Sequence, residues 1–247
     1  MHSQVQAALN ELLAPCTSMS LLEAEQYVYE RIISSCTYSY SADFSYNPYG
    51  VLINRVARCE GFSRTFSWAM RRLGAECFVI VGDSIKGAVA HSWNVIKIDG
   101  NYYEVDLTMD NVRGEDSALF PICYGFFNVS DKLHRENYSL WAPCTLLGEL
   151  PVRNDESLSP HTVHETYALS YDEAVHILFR QLDARTSTAY IKFDKTTDWE
   201  RFRADTMLLI DSWSQQSGVG TSYRYYWYSD SFVMTFAVEY YPQPAVS

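Results

Sequence analysis

Apolar residues recur at helical spacing in the segment that follows residue 58. They lie four, four and three residues apart, which places them on one face of a helix, and they are Phe62, Phe66, Met70 and Leu73. Gly74 stands where a glycine commonly ends a helix. The pattern predicts a helix that begins around Cys59 and ends before Gly74.

Three other helix starts are marked by a hydroxyl residue that precedes a glutamate by three positions. This spacing is typical of a capping box, in which the two side chains bind each other's backbone N–H groups. The starts are Ser20 to Glu23, Ser170 to Glu173 and Thr197 to Glu200. We expect these helices to end near Cys36, Leu182 and Gly218.

Strand-like segments follow the helix that begins around Cys59. Residues 77–81 are apolar and predict a short buried strand. Residues 90–98 and 101–108 flank Asp99-Gly100, and Asp-Gly between two such runs is the strongest short hairpin signal. With a two-residue turn, Ile98 faces Asn101.

The alternation of helices and strands predicts an α+β fold in two parts. We expect a first domain over residues 1–146, in which N-terminal helices pack on an antiparallel sheet. Residues 37–48 read as a loop, and residues 120–129 as further strand and loop. Residues 147–165, which hold Pro151 and Pro160, are interpreted as a linker or long connection. Residues 166–247 then predict a small α+β unit with the order strand, helix, strand, helix, strand, strand.

Charge narrows the classes of partner. The chain of 247 residues has 30 acidic and 19 basic side chains and a net charge of −11, which argues against a nucleic-acid binder and against an anionic membrane surface. No apolar run is long enough to span a membrane. The N-terminus lacks the basic region of a signal peptide. A cytoplasmic monomer is the default expectation, although a trimmed exported protein would look the same.

Cys59 is the cysteine with the best position for chemistry. A thiol at a helix N-terminus is favoured as thiolate by the helix dipole, and Arg55 and Arg58 add positive potential. Gly61 allows close backbone approach. A lone cysteine at a helix start is more often a small buried apolar residue. The other cysteines, none of them in a CxxC pair, are interpreted as packing thiols, and they are Cys16, Cys36, Cys77, Cys123 and Cys144. His161 and His164 match no metal motif, so neither a metal nor a cofactor is predicted.

The hairpin register gives Cys59 two prospective partners. It sets His91 opposite Thr108, and Asp106 then lies diagonally from His91 on the same face, about 7–8 Å away at the backbone. A carboxylate at that distance can orient an imidazole by a hydrogen bond. A three-residue turn would reverse the faces and remove the contact. Taken singly, His91 is a half-buried histidine and Asp106 a strand-end carboxylate.

These residues also stand in a familiar order. The segments Arg58-Cys59-Glu60-Gly61-Phe62, His91-Ser92-Trp93-Asn94 and Asp99 through Thr108 resemble the bacterial transglutaminase-like superfamily. That family shows a C-x-G-aromatic helix start, an H-x-W-N strand and a D-x-T strand end. Leu73-Gly74, Val81-Gly82 and residues 126–131 with His134 also fit the pattern. Met109 departs from it, because that position is often Trp. The resemblance covers residues 21–141.

The resemblance implies a papain-like fold and a thiol enzyme that acts on amide or peptide bonds of a protein or peptide. Cys59 would be the nucleophile, His91 the general base and acid, and Asp106 the orienting carboxylate. A protease or amidase is favoured over a cross-linking transglutaminase. The backbone N–H of Cys59 would stabilise the oxyanion, with Tyr49, Asn54 and Trp93 as candidates for a second donor or for substrate contact.

Two alternatives remain at this stage. A module that has kept the fold but binds a protein or glycan without catalysis would have the same pattern. So would a structural domain of a larger exported protein in which residues 166–247 form an interaction lobe. His134 could be a second polar group near the site, but a surface position is the more common case for a lone histidine.

Overall fold

The computed structural model describes residues 1–85, 89–111, 122–141 and 150–242. These residues form two compact units. The first holds the described part of Met1–Ser117 and Phe126–Ser159, and the second that of Ala118–Gly125 and Pro160–Ser247. Each unit combines helices with a largely antiparallel sheet, which confirms the predicted α+β class.

The helices of the first unit lie both before and after Cys59 along the chain. The α-helices are α1 (His2–Leu13), α2 (Leu21–Ser35), α3 (Cys59–Arg72) and α4 (Lys132–Asn137), with a 3-10 turn at Ala14–Ser18 and a π-helical turn at Gly50–Asn54. The capping box predicted at Ser20 is present and starts α2. Gly74 follows the end of α3 with φ +93°, a conformation that favours glycine. No helix in the described ranges has both the length and the apolar character needed to cross a membrane.

The sheet of the first unit supplies the hairpin. Its strands are β3 (Cys77–Ser84), β4 (Ala90–Ile98), β5 (Asn101–Val105) and β6 (Tyr138–Leu140), which lie antiparallel in the order β5-β4-β3-β6. Ile98 pairs with Asn101, so the predicted register is confirmed. Asp99 and Gly100 both have positive φ, at 49° and 93°, as a two-residue hairpin turn of this hand requires.

The segment predicted as a loop before α3 contains a small parallel pair. Strand β1 (Thr37–Tyr38) pairs with β2 (Val56–Ala57). Between them the chain lies against the first turn of α3: a Cβ atom on Gly61 would sit 2.1 Å from the carbonyl oxygen of Ser45. Gly61 therefore permits the close backbone approach that its position before the apolar stripe predicted.

Helix α3 is fixed to the sheet by both apolar and polar contacts. Phe62, Phe66 and Met70 of the predicted stripe are buried. The Ser63 and Ser92 hydroxyls lie 3.0 Å apart, and Asn94 Nδ2 donates to the carbonyl of Ser63 at 2.9 Å. These contacts bring the start of α3 to the first half of β4.

After a short first helix that was not predicted, the second unit has the element order that its sequence predicts. It contains α5 (Pro160–Val163), β7 (Tyr167–Ala168), α6 (Tyr171–Asp183), β8 (Thr188–Phe193), α7 (Trp199–Ser217), β9 (Val219–Tyr228) and β10 (Val233–Pro242). The strands lie in the order β7-β8-β10-β9, with β7 and β8 parallel. Ser170 and Asp198 cap α6 and α7, and Gly218 ends α7 with φ +67°.

A short separate piece of chain, residues 122–125, also belongs to the second unit. The Cys123 carbonyl accepts a hydrogen bond from His161 Nε2 at 2.9 Å, and the Tyr124 ring lies 6.2 Å from that of Tyr190. Gly125 packs so closely that a Cβ there would lie 2.3 Å from the Ser231 side chain. Residues 122–129, expected to include strand, are irregular apart from one bridge between Val129 and Glu104.

Candidate active site

Cys59 is the first residue of α3 and faces a pocket. Arg58, the N-cap residue, makes no side-chain hydrogen bond to the helix start. The first N–H groups of a helix have no partner within the helix and carry partial positive charge, which favours an anion there. The thiol is partly exposed and lines a pocket of about 360 Å³. The position combines access with a favourable electrostatic field.

The Cys59 thiol has hydrogen-bond partners on β4. It interacts with the ring of His91 and with both the hydroxyl and the backbone N–H of Ser92. Burial raises the pKa of the Cys59 thiol, whereas these hydrogen bonds and the charge of His91 lower it by a larger amount. The net pKa therefore lies below the ordinary value. Ser92 was not singled out from the sequence, although it directly follows His91.

His91 lies between the thiol and a buried carboxylate. Its Nε2 is 2.6 Å from Asp106 Oδ2, which leaves Nδ1 for the sulfur. Burial lowers the pKa of His91, but the charge of Asp106 and hydrogen bonds to Asp106 and Cys59 raise it to about 10. The diagonal contact predicted from the hairpin register is thus present at hydrogen-bond distance.

Asp106 is held in one orientation by the backbone that follows it. Its Oδ1 accepts from the N–H groups of Thr108 and Met109, at 3.0 and 3.2 Å. Burial raises the pKa of Asp106, but the charges of His91 and His134 and their hydrogen bonds hold it well below its usual range. The carboxylate therefore stays ionised and presents Oδ2 to His91.

His134 lies inside the protein, and the expectation of a surface histidine was wrong. It is 2% exposed, and its ring lies flat on that of Trp93, with centroids 4.5 Å apart and an angle of 5°. His134 Nε2 is 3.1 Å from Asp106 Oδ2, and Nδ1 is 2.5 Å from Glu104 Oε2. The second of these is an ion-pair contact without the alignment of a hydrogen bond.

Glu104 and Arg153 extend this buried group and were missed in the sequence. Arg153 Nε donates to Glu104 Oε1 at 2.8 Å, and its NH2 group lies 3.1 Å from Asp131 Oδ2. Strand alternation places Glu104 on the same face as Asp106, which could have identified it. No local signal marks Arg153, which stands in the segment interpreted as a connection.

The pocket wall combines apolar and charged side chains. Among the described residues it is formed, apart from Cys59, His91 and Ser92, by Tyr40, Arg58, Glu60, Arg64, Val79, Val81, Ala90 and Trp141. Glu60 pairs with Arg58 at 2.7 Å and with Arg64 at 2.6 Å. A substrate would meet an aromatic and aliphatic surface beside this charged cluster.

The residues expected to contact substrate lie elsewhere. Trp93 is 1% exposed and covers His134, because side chains of β4 alternate and Trp93 lies on the face opposite Ser92 and Asn94, which contact α3. Its indole nitrogen is buried and makes no hydrogen bond within the described residues. Tyr49 packs on Phe44, and Asn54 ends the π-helical turn. None of the three is among the described residues that line the pocket, and substrate contact by Tyr49 or Asn54 stays a prediction.

Gly82 has no side chain and so leaves space for the aromatic ring of Trp93 beside His91. It pairs with His91 in the sheet, and a Cβ there would lie 2.7 Å from the Ser139 carbonyl and 3.2 Å from the Trp93 ring. We expect Gly82→Ala to destabilise the protein by about 1–3 kcal/mol through overpacking. It should also slow alkylation of Cys59, since Trp93 stacks on His91. Thermal unfolding and alkylation rates measure the two effects, and an unchanged melting temperature contradicts the first.

The histidines and the other thiols considered in the sequence analysis are buried where the structure describes them, apart from His164. His161 is buried, with Nδ1 2.9 Å from the Thr166 hydroxyl and Nε2 on the Cys123 carbonyl, and burial and the charge of Lys192 lower its pKa to about 3. Within the described residues, no group of three or more His, Cys, Asp or Glu side chains is placed to hold a metal ion. Four other thiols are free and buried, namely Cys16, Cys36, Cys77 and Cys123, whereas Cys144 lies outside the described residues.

Comparison with known proteins identifies part of the chain. Residues 6–107, less than half of its length, match the model of the transglutaminase-like superfamily, which confirms the resemblance seen in the sequence. Cys59, His91 and Asp106 all fall within this range. Members of this superfamily are typically cysteine-dependent enzymes.

Solved structures give two further likenesses. One is a TGase, 22% identical, with a TM-score of 0.36 over 43% of this chain and 31% of that one. The other is named a putative cysteine protease from Cytophaga hutchinsonii, 17% identical, with a TM-score of 0.36 over 43% of this chain and 37% of that one. This chain thus matches about a third of the length of each. No curated protein matches the sequence.

Proposed function

We propose, starting from the transglutaminase-like character of residues 6–107, that this protein is a thiol enzyme that cleaves an amide or peptide bond through a thioester. Cys59 is the nucleophile, His91 the general acid and base, and Asp106 the carboxylate that orients His91. The observation that carries the proposal is the continuous contact from a pocket-facing thiol to His91 and on to buried Asp106.

The two pKa directions support an ion pair in the resting site. The pKa of Cys59 is lowered and that of His91 is raised to about 10, and both directions favour a thiolate paired with an imidazolium. Ser92 donates to the sulfur through its hydroxyl and its N–H. An ionised thiol is the reactive form of cysteine, and here no separate base is needed to generate it.

Acylation follows from this arrangement. The thiolate of Cys59 attacks the substrate carbonyl carbon, and the carbonyl π electrons move to oxygen. We expect the N–H of Cys59 at the start of α3 to stabilise this oxyanion, and one such donor contributes about 3 kcal/mol. The oxyanion then re-forms the carbonyl, the C–N bond breaks, and His91 Nδ1 gives its proton to the departing amine.

His91 becomes a better acid as the thiolate is consumed. Part of its raised pKa comes from the hydrogen bond and the charge of Cys59. Once the sulfur is bonded to carbon that charge is gone, and the imidazolium gives up its proton more readily. The same ring then accepts a proton from water, and hydroxide adds to the thioester to release an acid and regenerate the thiolate.

Hydrolysis is the proposed outcome, and transfer to an amine is the alternative that the same thioester allows. Cys59 is partly exposed in the pocket, so water can reach the acyl group. Loading the enzyme with an acyl donor and then varying the concentration of a primary amine separates the two. A product ratio that stays hydrolytic at high amine concentration supports hydrolysis, and a predominantly amide product supports transfer.

Selective labelling tests the proposal before a substrate is known. At pH 6, iodoacetamide should modify Cys59 while the buried thiols, whose burial hinders access, stay unmodified, as read by mass spectrometry of each cysteine peptide. His91→Ala should slow the labelling of Cys59 at least tenfold, because the thiolate loses its counter-ion. His176→Ala, an exposed histidine of α6, is the matched control and should leave the rate unchanged.

Two results would overturn the proposal. Labelling of Cys59 at pH 6 that is equal in wild type and His91→Ala would show that the pair is not formed. A Cys59 that stays unlabelled up to pH 9 in a folded protein would favour the other reading of the sequence, a module that binds a partner without catalysis.

A further inference from the structure

His134 occupies a position that a neutral imidazole does not satisfy. Both ring nitrogens face carboxylate oxygens, Nε2 toward Asp106 at 3.1 Å and Nδ1 toward Glu104 at 2.5 Å. An ionised carboxylate only accepts hydrogen bonds, and a neutral imidazole has a single N–H. One nitrogen of a neutral ring would therefore set its lone pair against a carboxylate oxygen.

The surroundings favour a protonated ring over protonated carboxylates. Arg153 pairs with the far oxygen of Glu104 at 2.8 Å and stabilises its charge. The oxygen Asp106 Oδ1 already accepts two backbone N–H groups, which stabilises that charge as well. The flat indole of Trp93 lies against the His134 ring, an arrangement that stabilises a cation.

We propose that His134 is permanently protonated and that its positive charge, next to Asp106, limits how strongly the Asp106 carboxylate holds the proton of His91. The inference rests on the proposed function, since it concerns the same site. His134 is a positioning residue: it does not line the pocket among the described residues, and it acts through Asp106.

A single carboxylate oxygen carries the coupling. Asp106 Oδ2 lies 2.6 Å from His91 Nε2 and 3.1 Å from His134 Nε2. With His134 charged, the negative charge of Asp106 is shared between two imidazoles. Without it, two buried carboxylates would act on His91 with Arg153 as the balancing cation among the described residues, and His91 would release its proton to a leaving amine less readily.

The charged and titratable groups around His134 come from several elements. They are His91 on β4, Glu104 and Asp106 at the end of β5, Asp131 at the cap of α4, Tyr138 on β6, and Arg153. Asp131 is paired with Arg153 and with Arg135. Removing the positive charge of His134 therefore leaves the negative charge of Asp106 less balanced.

Removing this charge has a defined sign. Loss of a nearby cation makes the local potential more negative and raises the pKa of every group that feels it, so both the Cys59 thiol and the His91 imidazolium should titrate at higher pH. We expect His134→Gln to move the pH profile of Cys59 alkylation upward by about one unit or more, the size expected for a charge at this range in a protein interior.

Two variants separate charge from packing. His134→Lys keeps a cation between the two carboxylates and should restore the wild-type profile to within half a unit. Tyr138→Phe alters a ring that packs on both histidines, at 5.1 Å from His91 and 6.0 Å from His134, without changing a charge at neutral pH. Its profile should match that of the wild type.

A measurement on the unaltered protein covers the case in which these variants do not fold. Nitrogen-15 NMR of the histidine rings should show the His134 ring doubly protonated from pH 5 to pH 9. A ring that becomes neutral below pH 8, or a folded His134→Gln protein with the wild-type profile, would overturn the inference. A wild-type Cys59 that behaves as an ordinary thiol would instead refute the proposed function.

Discussion

Replacement of Asp106 by asparagine should slow the alkylation of Cys59 at pH 6 by up to about 300-fold. An ordinary thiol with a pKa of about 8.5 is only ~0.3% ionised at that pH, whereas a thiolate paired with imidazolium is largely ionised. The backbone N–H groups of Thr108 and Met109 hold the amide oxygen of the new side chain. The amide NH2 group then points at His91 Nε2, where Oδ2 was.

This orientation forces the wrong tautomer on His91. A ring that accepts from the new amide at Nε2 must carry its proton on Nδ1, so it can no longer take the proton of Cys59. The same reversal explains the large loss that follows this type of substitution in other triads. Asp110→Asn is the matched control, since Asp110 is buried and accepts from the Phe126 N–H rather than from His91. An Asp106→Asn protein that is folded and still labels at the wild-type rate would remove Asp106 from the mechanism.

A second large effect concerns stability at alkaline pH. Glu25 on α2 is fully buried, and its Oε2 accepts from Asn128 Nδ2 at 3.0 Å. Burial raises the pKa of Glu25 from 4.5 to about 8, and the hydrogen bond from Asn128 offsets only part of this. Since the unfolded chain ionises near pH 4.5 and the folded one near pH 8, stability is lost as pH rises through this window. The loss at pH 8 and above is about 5 kcal/mol.

Glu25→Gln should remove that penalty. The free energy of unfolding of the variant is expected to exceed that of the wild type by several kcal/mol at pH 8.5, and the difference should shrink toward zero at pH 4. Urea unfolding at a series of pH values measures it. Glu11→Gln, which alters an exposed glutamate of α1, is the control. A difference between Glu25→Gln and wild type that does not depend on pH would contradict the assignment.

The hairpin was predictable because its geometry is local. The Asp99-Gly100 turn fixes the pairing of two adjacent strands, and strand alternation then decides which side chains share a face. This placed Asp106 beside His91 from the sequence alone. The approach of Cys59 to His91 depends instead on how α3 packs against β4, and only the resemblance to a known family indicated it.

His134 shows where such reasoning stops. The helix Lys132–Asn137 is short and mostly polar, which is typical of a surface segment. Its histidine is buried because Trp93, Glu104 and Asp106, all distant in sequence, form a site for it. Trp93 was misplaced for the related reason that either face of β4 could have lined a cleft. Composition and periodicity do not predict these tertiary contacts.

The short segment of residues 122–125 has a consequence for any attempt to divide the protein. A fragment starting at Pro160 would lack the carbonyl of Cys123 that His161 Nε2 binds and the glycine that packs on Ser231. The complementary fragment ending at Ser159 would carry residues 122–125 without the strands and side chains they contact. A truncation at that point cuts through a folded unit, and such a piece is not expected to be exchanged between proteins as a self-contained module.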